Sequence, residues 1–284
     1  MSLRRGFSLV ELVIALLLTG IIGVALSRLV ISQARFVAGQ DGMLQSRSGV
    51  RAALNLVTGE LRALTTGGLL AASTDSITVR VPYAFGVSCY PFNYGSFVSL
   101  LPGDSSIVNG AVPSGYAFRD STGTWKFPAT ATVYSFNYNA LGICTWLTPP
   151  VTTLAAPNWA ARDIAVTTSD ASGVPPVGNL MYVYQKVTYV LGPSASLPGR
   201  KALWRRVAGG TSDELVVPFD TGSGFKFLVG SRLTPRSTPP ALLDSVVGVR
   251  LRLVGQSEKA PEGKSAPSRF DVTTNILFRN NRGY

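Results

Sequence analysis

One carboxylate near the start of this 284-residue chain sits where an ionised group has no ordinary use. Glu11 interrupts a 20-residue apolar run from Phe7 to Leu26, behind a short basic start at Arg4 and Arg5. A charge at mid-bilayer costs at least about 2.5 kcal/mol, somewhat less near the interface, so one retained there usually marks function. The chemistry available to it is neutralisation of a cation, because a buried charge persists only when paired. The plain alternative is a side chain that snorkels, unpaired, to the lipid headgroups.

The next chemistry-bearing residues are the two thiols. Cys89 and Cys144 allow one intrachain pairing, and closing their 55-residue separation stabilises by about 4 kcal/mol on the chain-entropy argument. Free, buried thiols are the alternative. Around Cys89 stands a dense aromatic set, Tyr83, Phe85, Tyr90, Phe92, Tyr94 and Phe97, with Trp125, Trp146 and Trp159 further on. Such rings suit stacking on carbohydrate, a surface or nucleic acid. A subdomain packed against a disulfide explains them equally well, and packing is the preferred expectation.

The chain carries 26 basic and 15 acidic residues, a formal net charge of +11. A basic surface raises affinity for DNA, anionic headgroups and acidic polysaccharide. Here the arginines are dispersed along the chain with no dense tract, which reads as solvated strand faces. No motif indicates nucleic acid.

Catalysis finds little support. With no histidine at all, His-dependent triads and HExxH zinc sites are excluded. Two cysteines without histidine make half a zinc site. Gly263-Lys264-Ser265 has the tail of a phosphate loop, but Glu258 occupies the place of its first glycine. Asp213 and Glu214 read as turn residues. The sequence points away from an enzyme, and it implies neither a metal nor another cofactor.

The elements that position these residues begin with a helix. Twenty helical residues span about 30 Å, the thickness of a bilayer's hydrocarbon core. Arginines ahead of the span put the N-terminus on the cytoplasmic side and everything after Arg28 outside it, where disulfides persist. An ordinary membrane anchor and a secretory signal cleaved after Ser27 remain open on length and flanks alone. Beyond the span, Val50, Leu54, Val57, Leu61 and Leu64 make an apolar stripe at helical spacing, after Phe36 and Met43 in the same seven-residue rhythm. Gln40 and Arg47 interrupt that rhythm, and Gly39 and Gly42 weaken the helix by about 1 kcal/mol each. Residues 28–49 therefore read as a polar stem with room for a bend, and 50–64 as the part that docks on the chain's own sheet rather than on a partner helix. Thr66-Gly67-Gly68 is a stop.

After residue 70 the period changes to two. Strands are expected at SITVRV (76–81), 130–138, 180–191, 202–207, 245–253 and 270–278. Residues 255–269, polar and rich in proline, read as a mobile loop. The fold class is α+β: a long N-terminal helix followed by an antiparallel β-rich head.

Arg4-Arg5-Gly6-Phe7-Ser8-Leu9-Val10-Glu11 resembles the processing signal of type IV prepilins and type II secretion pseudopilins. The likeness covers roughly the first 30 residues. It implies cleavage between Gly6 and Phe7 by a membrane prepilin peptidase, N-methylation of Phe7, and pairing of Glu11 with the N-terminal amine of a neighbouring subunit. It also implies a single-pass protein of the inner membrane whose head lies outside the cytoplasm and later joins a filament or the cell surface. Residues 1–6 would be the leader, 7–31 the transmembrane and filament-core helix, 32–66 a helical stem, and 67–284 the head, with an insertion at about 82–175. The segments Leu203-Trp204-Arg205-Arg206, Leu243-Asp244-Ser245-Val246 and Phe278-Arg279-Asn280 are similar to those of J-type pseudopilins and W-type minor pilins, and the insertion favours the minor pilin. The partners implied are the peptidase, other minor and major pilins or pseudopilins, and the membrane; an adhesive or DNA-binding head is the alternative from another class. Loss of the leader takes 26 basic residues to 24 against 15 acidic, a net +9.

Overall fold

A computed structural model describes residues 8–101, 103–135, 144, 163–261 and 264–278. Its first element is one helix, α1, Leu9–Arg62, 54 residues long and therefore about 80 Å from end to end. It ends where the Ala63 N–H turns back to the Glu60 carbonyl, and Gly67 then takes a positive φ of 78° that redirects the chain. The stem, read as having room for a bend, is continuous helix, and α1 runs unbroken through Gly39 and Gly42. Gly42 has a packing reason: a Cβ there would lie 3.2 Å from the Ser257 Cβ. The buried stripe starts earlier than the hydrophobic pattern indicates, at Ser46, and continues through Val50, Ala53, Val57 and Leu61 to Leu64. Leu54 lies half-buried on its flank, because the 3.6-residue turn brings the smaller Ala53 nearest the sheet.

The head is an antiparallel sheet. In chain order its strands are β1 Leu69–Ala72, β2 Ser76–Phe92, β3 Gly95–Leu100, β4 Gly115–Arg119, β5 Trp125–Lys126, β6 Thr132–Ser135, β7 Asp163–Thr167, β8 Leu180–Pro193, β9 Lys201–Val207, β10 Ser212–Phe219, β11 Gly224–Val229, β12 Thr234–Arg236, β13 Val246–Gln256 and β14 Arg269–Leu277, with a short helix α2, Asp104–Gly110, after β3. Among the described residues the strands lie in the order β12-β11-β13-β10-β9-β8-β2-β3-β7-β6, with β1 beside β2, β14 beside β13, and β4 between β8 and β5. Each of the expected strands has its counterpart. The one at 130–138 is seen as β6, and its residues 136–138 lie outside the described set.

Among the described residues two main apolar cores, with a small aromatic cluster on β4 and β8 beside them, lie along the same long strands. The larger joins the α1 stripe to Ile77, Val79 and Val81 of β2, Val187, Tyr189 and Leu191 of β8, and the inner residues of β11, β13 and β14. The second gathers Ala84, Val98, Tyr116, Val166, Met181 and Val183, with Val108 of α2 set against it. A register irregularity at Pro82–Ala84 links them. Val81 faces Gln185, but Ala84 already faces Val183, so Tyr83 is an extra residue in β2. One extra residue reverses which side chains face inward, so even-numbered positions take over the buried face that odd-numbered ones held. Proline is tolerated at such a point because the ladder hydrogen bond it lacks is already interrupted.

The loop read as mobile is instead partly built in. Gly255 and Gln256 complete β13, Ser257 and Pro261 are buried, and the Glu258 N–H reaches the Gln45 side-chain oxygen on α1 at 3.3 Å.

Candidate assembly site

The N-terminal end of α1 is polar for one turn only. The Ser8 N–H donates to Glu11 Oε2 at 3.1 Å, so the carboxylate satisfies one of the amide donors that a helix start leaves open. From Leu9 to Ile31 nothing on the helix is buried, and the apolar side chains are exposed on every side: Leu9 is 79 % exposed, Leu16 65 % and Ile22 57 %. An amphipathic helix would show one apolar stripe, and one apolar all round needs lipid or other helices about it. The polar side chains within it are turned back on the helix. The Thr19 hydroxyl donates to the Ala15 carbonyl at 2.7 Å, and that of Ser27 to the Gly23 carbonyl at 2.9 Å. The helix is long and apolar enough to cross a membrane. Gly6 and Phe7, the expected cleavage and methylation residues, lie outside the described set, as do Arg4 and Arg5.

The other end of α1 is fixed to the head by a polar lock that the hydrophobic pattern did not reveal. Glu60 Oε1 lies 2.9 Å from the Arg205 guanidinium on β9, and the Tyr189 hydroxyl of β8 donates to Glu60 Oε2 at 2.7 Å. Burial, and then the charge of Glu60, push the Tyr189 phenol well above its ordinary range. The available signal was Glu60 beside Leu61, an acid bordering an apolar stripe. A second clamp closes just past the helix. Arg80 lies over the Phe127 ring at 4.2 Å and near that of Tyr184 at 5.6 Å, and it donates to the Gly67 carbonyl. The Thr65 and Tyr182 hydroxyls meet at 2.7 Å beside it.

The six aromatics near Cys89 do not form one face. Tyr83 packs against the second core with its hydroxyl buried and unpaired, and burial pushes that phenol up to about 12. Phe85 joins a cluster around Tyr182, with ring centroids 5.9 Å apart, and Trp125 reaches the same ring at 4.7 Å. Phe92 and Tyr90 pack on Phe97 at 4.8 and 6.3 Å. Tyr94 at the hairpin tip is 55 % exposed and Tyr90 41 %. Trp146 and Trp159 lie outside the described residues. Cys89 is bonded to Cys144, their Cα atoms 5.3 Å apart. Among the described residues no three or more acidic or cysteine side chains are grouped as a metal site.

Comparison with known families adds one finding. A family profile described as the prokaryotic N-terminal methylation motif matches residues 1–27. Comparisons with curated proteins and with solved structures return no match. The match covers the basic start, Gly6, Phe7, Glu11 and the apolar run, the residues that feed the fully exposed half of α1. The chain thus carries the type IV prepilin signal, the N-terminal methylation motif, at the head of a long helix whose first half is apolar.

Proposed function

We propose that this protein is a minor pilin-like structural subunit, cleaved between Gly6 and Phe7 by prepilin peptidase, methylated on Phe7, and used to initiate or cap a type IV pilus. The observation that carries this reading is the division of α1. Residues 9–31 bury nothing within their own chain, while Ser46–Leu64 are fixed to the head. Before assembly the exposed half would sit in the inner membrane, with the head outside the cytoplasm. After assembly it would pack among the helices of other minor and major pilins. Cleavage would free the Phe7 amine, and Glu11, four residues on, would then change from capping its own helix to neutralising a neighbour's amine. The head supports a low-copy position: its second core on β2 and β8 is bulk that would crowd a filament if it recurred at every subunit.

Mass spectrometry of the mature N-terminal peptide, from membranes that contain prepilin peptidase, tests the pathway. The expected chain begins at Phe7 and is heavier by one methyl group. A chain beginning at Arg28, or one retaining Met1, would overturn it. The finer assignment is tested by deleting the gene and counting filaments: loss of pili with secretion intact supports the minor pilin, and the reverse result assigns a secretion pseudopilin.

A further inference from the structure

Strands β9, β11 and β13 carry four cations around one open hollow of about 560 Å³, lined by Lys201, Lys226, Arg250 and Arg252 together with the Asp75 carboxylate and the Thr221–Gly224 turn. Two of the four are already answered. Lys201 Nζ lies 2.8 Å from Asp75, and the Arg252 guanidinium is 2.5 Å from Asp271. The other two are not. Lys226 and Arg250 stand directly opposite one another in the β11–β13 register, where like charges repel. Arg250 donates only to the neutral Asn275 side chain at 2.8 Å, and among the described residues Lys226 has no hydrogen-bond or ion-pair partner. The next carboxylate, Asp220, is occupied by Arg269 at 2.7 Å and by the Gln256 amide at 2.6 Å. The hollow thus holds two positive charges that the chain does not neutralise.

Its remaining walls indicate what would neutralise them. The hydroxyl-bearing residues Thr74, Thr221, Ser237 and Thr273 line it, and at Gly222 a Cβ would meet nothing closer than 3.5 Å. The one aromatic in the wall, Phe225, is 1 % exposed and offers no ring for a sugar or base to stack on. Guanidinium forks, an ammonium and hydroxyl donors around a glycine turn match the oxygens of a tetrahedral anion. We propose that this hollow binds a compact group of two or more phosphates, held between Lys226 and Arg250 and extending toward Arg252. This proposal is independent of the pilus assignment, because the hollow lies wholly on the head.

The test uses the full-length protein in an uncharged detergent, titrated calorimetrically with sodium tripolyphosphate at low salt. The expected result is saturable one-to-one binding that the Lys226→Gln/Arg250→Gln variant weakens at least about tenfold. The control Arg206→Gln/Arg232→Gln, which removes two exposed cations outside the hollow, is expected to stay within about twofold of wild type. If the double variant lowers the melting temperature, Lys226→Gln alone carries the test, since that side chain is exposed and unpaired, and a several-fold loss is expected. A second titration with nanodiscs containing phosphatidic acid separates the sources: tighter binding there assigns a lipid headgroup, and equal or weaker binding a soluble phosphate. Absent saturable binding, equal losses in both double variants, or a preference for oligogalacturonate or duplex DNA would each overturn the proposal.

Discussion

Gly255 has no room for even one methyl group. A Cβ there would stand 2.5 Å from the Val50 side chain and 2.6 Å from the Ser46 carbonyl, both on the helix that crosses it. Backbone on one side of the contact cannot yield as a flexible side chain would. Gly255→Ala is therefore expected to destabilise the head by about 1–3 kcal/mol, measured by denaturant unfolding followed through tryptophan fluorescence. Gly59→Ala, on the same helix with open space around it, is the matched control and should be neutral or slightly stabilising. Neither result could be foreseen from the chain alone. Gly255 read as the first residue of a loop, and what makes it indispensable is a helix that approaches from more than 200 residues away in the chain. Glu11 is the opposite case, because its meaning lies in its near neighbours and the sequence displays them.

Elements were legible where a single period ran undisturbed. The stripe at Val50, Val57, Leu61 and Leu64 gave the docked helix, and alternation gave the first half of β2, β8, β9, β13 and β14. The reading failed where the period broke. β2 continues for 17 residues, but the irregularity at Pro82–Ala84 shifts its inward face by one, so its second half reads as aromatic clutter. β10 was missed because Asp213 and Glu214, read as turn residues, lie within it, and β11 because its alternation breaks at the adjacent buried pair Phe227 and Leu228. The Glu60–Arg205–Tyr189 lock was invisible for a different reason, since it joins one helix to two strands. Glu60 and Arg205 are 18 % and 24 % exposed, so Glu60→Gln should cost about 1–3 kcal/mol rather than the larger penalty of a fully buried pair. The same lock has an alkaline signature. Because the folded Tyr189 phenol is held above its ordinary value of 10.0, the unfolded chain releases that proton first. The stabilisation is complete below about pH 10 and is lost as pH rises further, by up to about 1.4 kcal/mol per unit for this one group. Tyr83, Tyr116 and Tyr182 are raised in the same sense, so an unfolding series from pH 8 to 12 should decline from near 10 and do so less steeply in Tyr189→Phe, and an unchanged slope would sink the assignment.

At the scale of the whole molecule, two environments share one helix. Residues 9–31 make no buried contact, so removing residues 1–31 should leave the head's melting temperature within about 2 °C of the full chain in detergent. A drop beyond about 5 °C would mean that the apolar half supports the fold after all. The general plan, an apolar helix before a β-rich head, was written in the change of period near residue 70. The second core was not, because its residues are drawn from β2, β3, β4, β7 and β8 and come together only in space. Aromatic density around Cys89 was visible, but its partition among separate clusters was decided by strand register.

The unbroken course of α1 gives the molecule a mechanical character. From Ser46 to Leu61 the docked contacts lie along one axis over roughly 22 Å, with Gly255 notched against Ser46 and Val50 at the near end and the Glu60–Arg205 lock at the far end. Tension on the exposed half would load those contacts together, in shear, instead of peeling them apart one after another. A joint loaded in that way yields only when most of its contacts fail at once. The head would thus behave as cargo on a tow bar, and the helix that continues unbroken through Gly39 and Gly42 is what carries the pull to it.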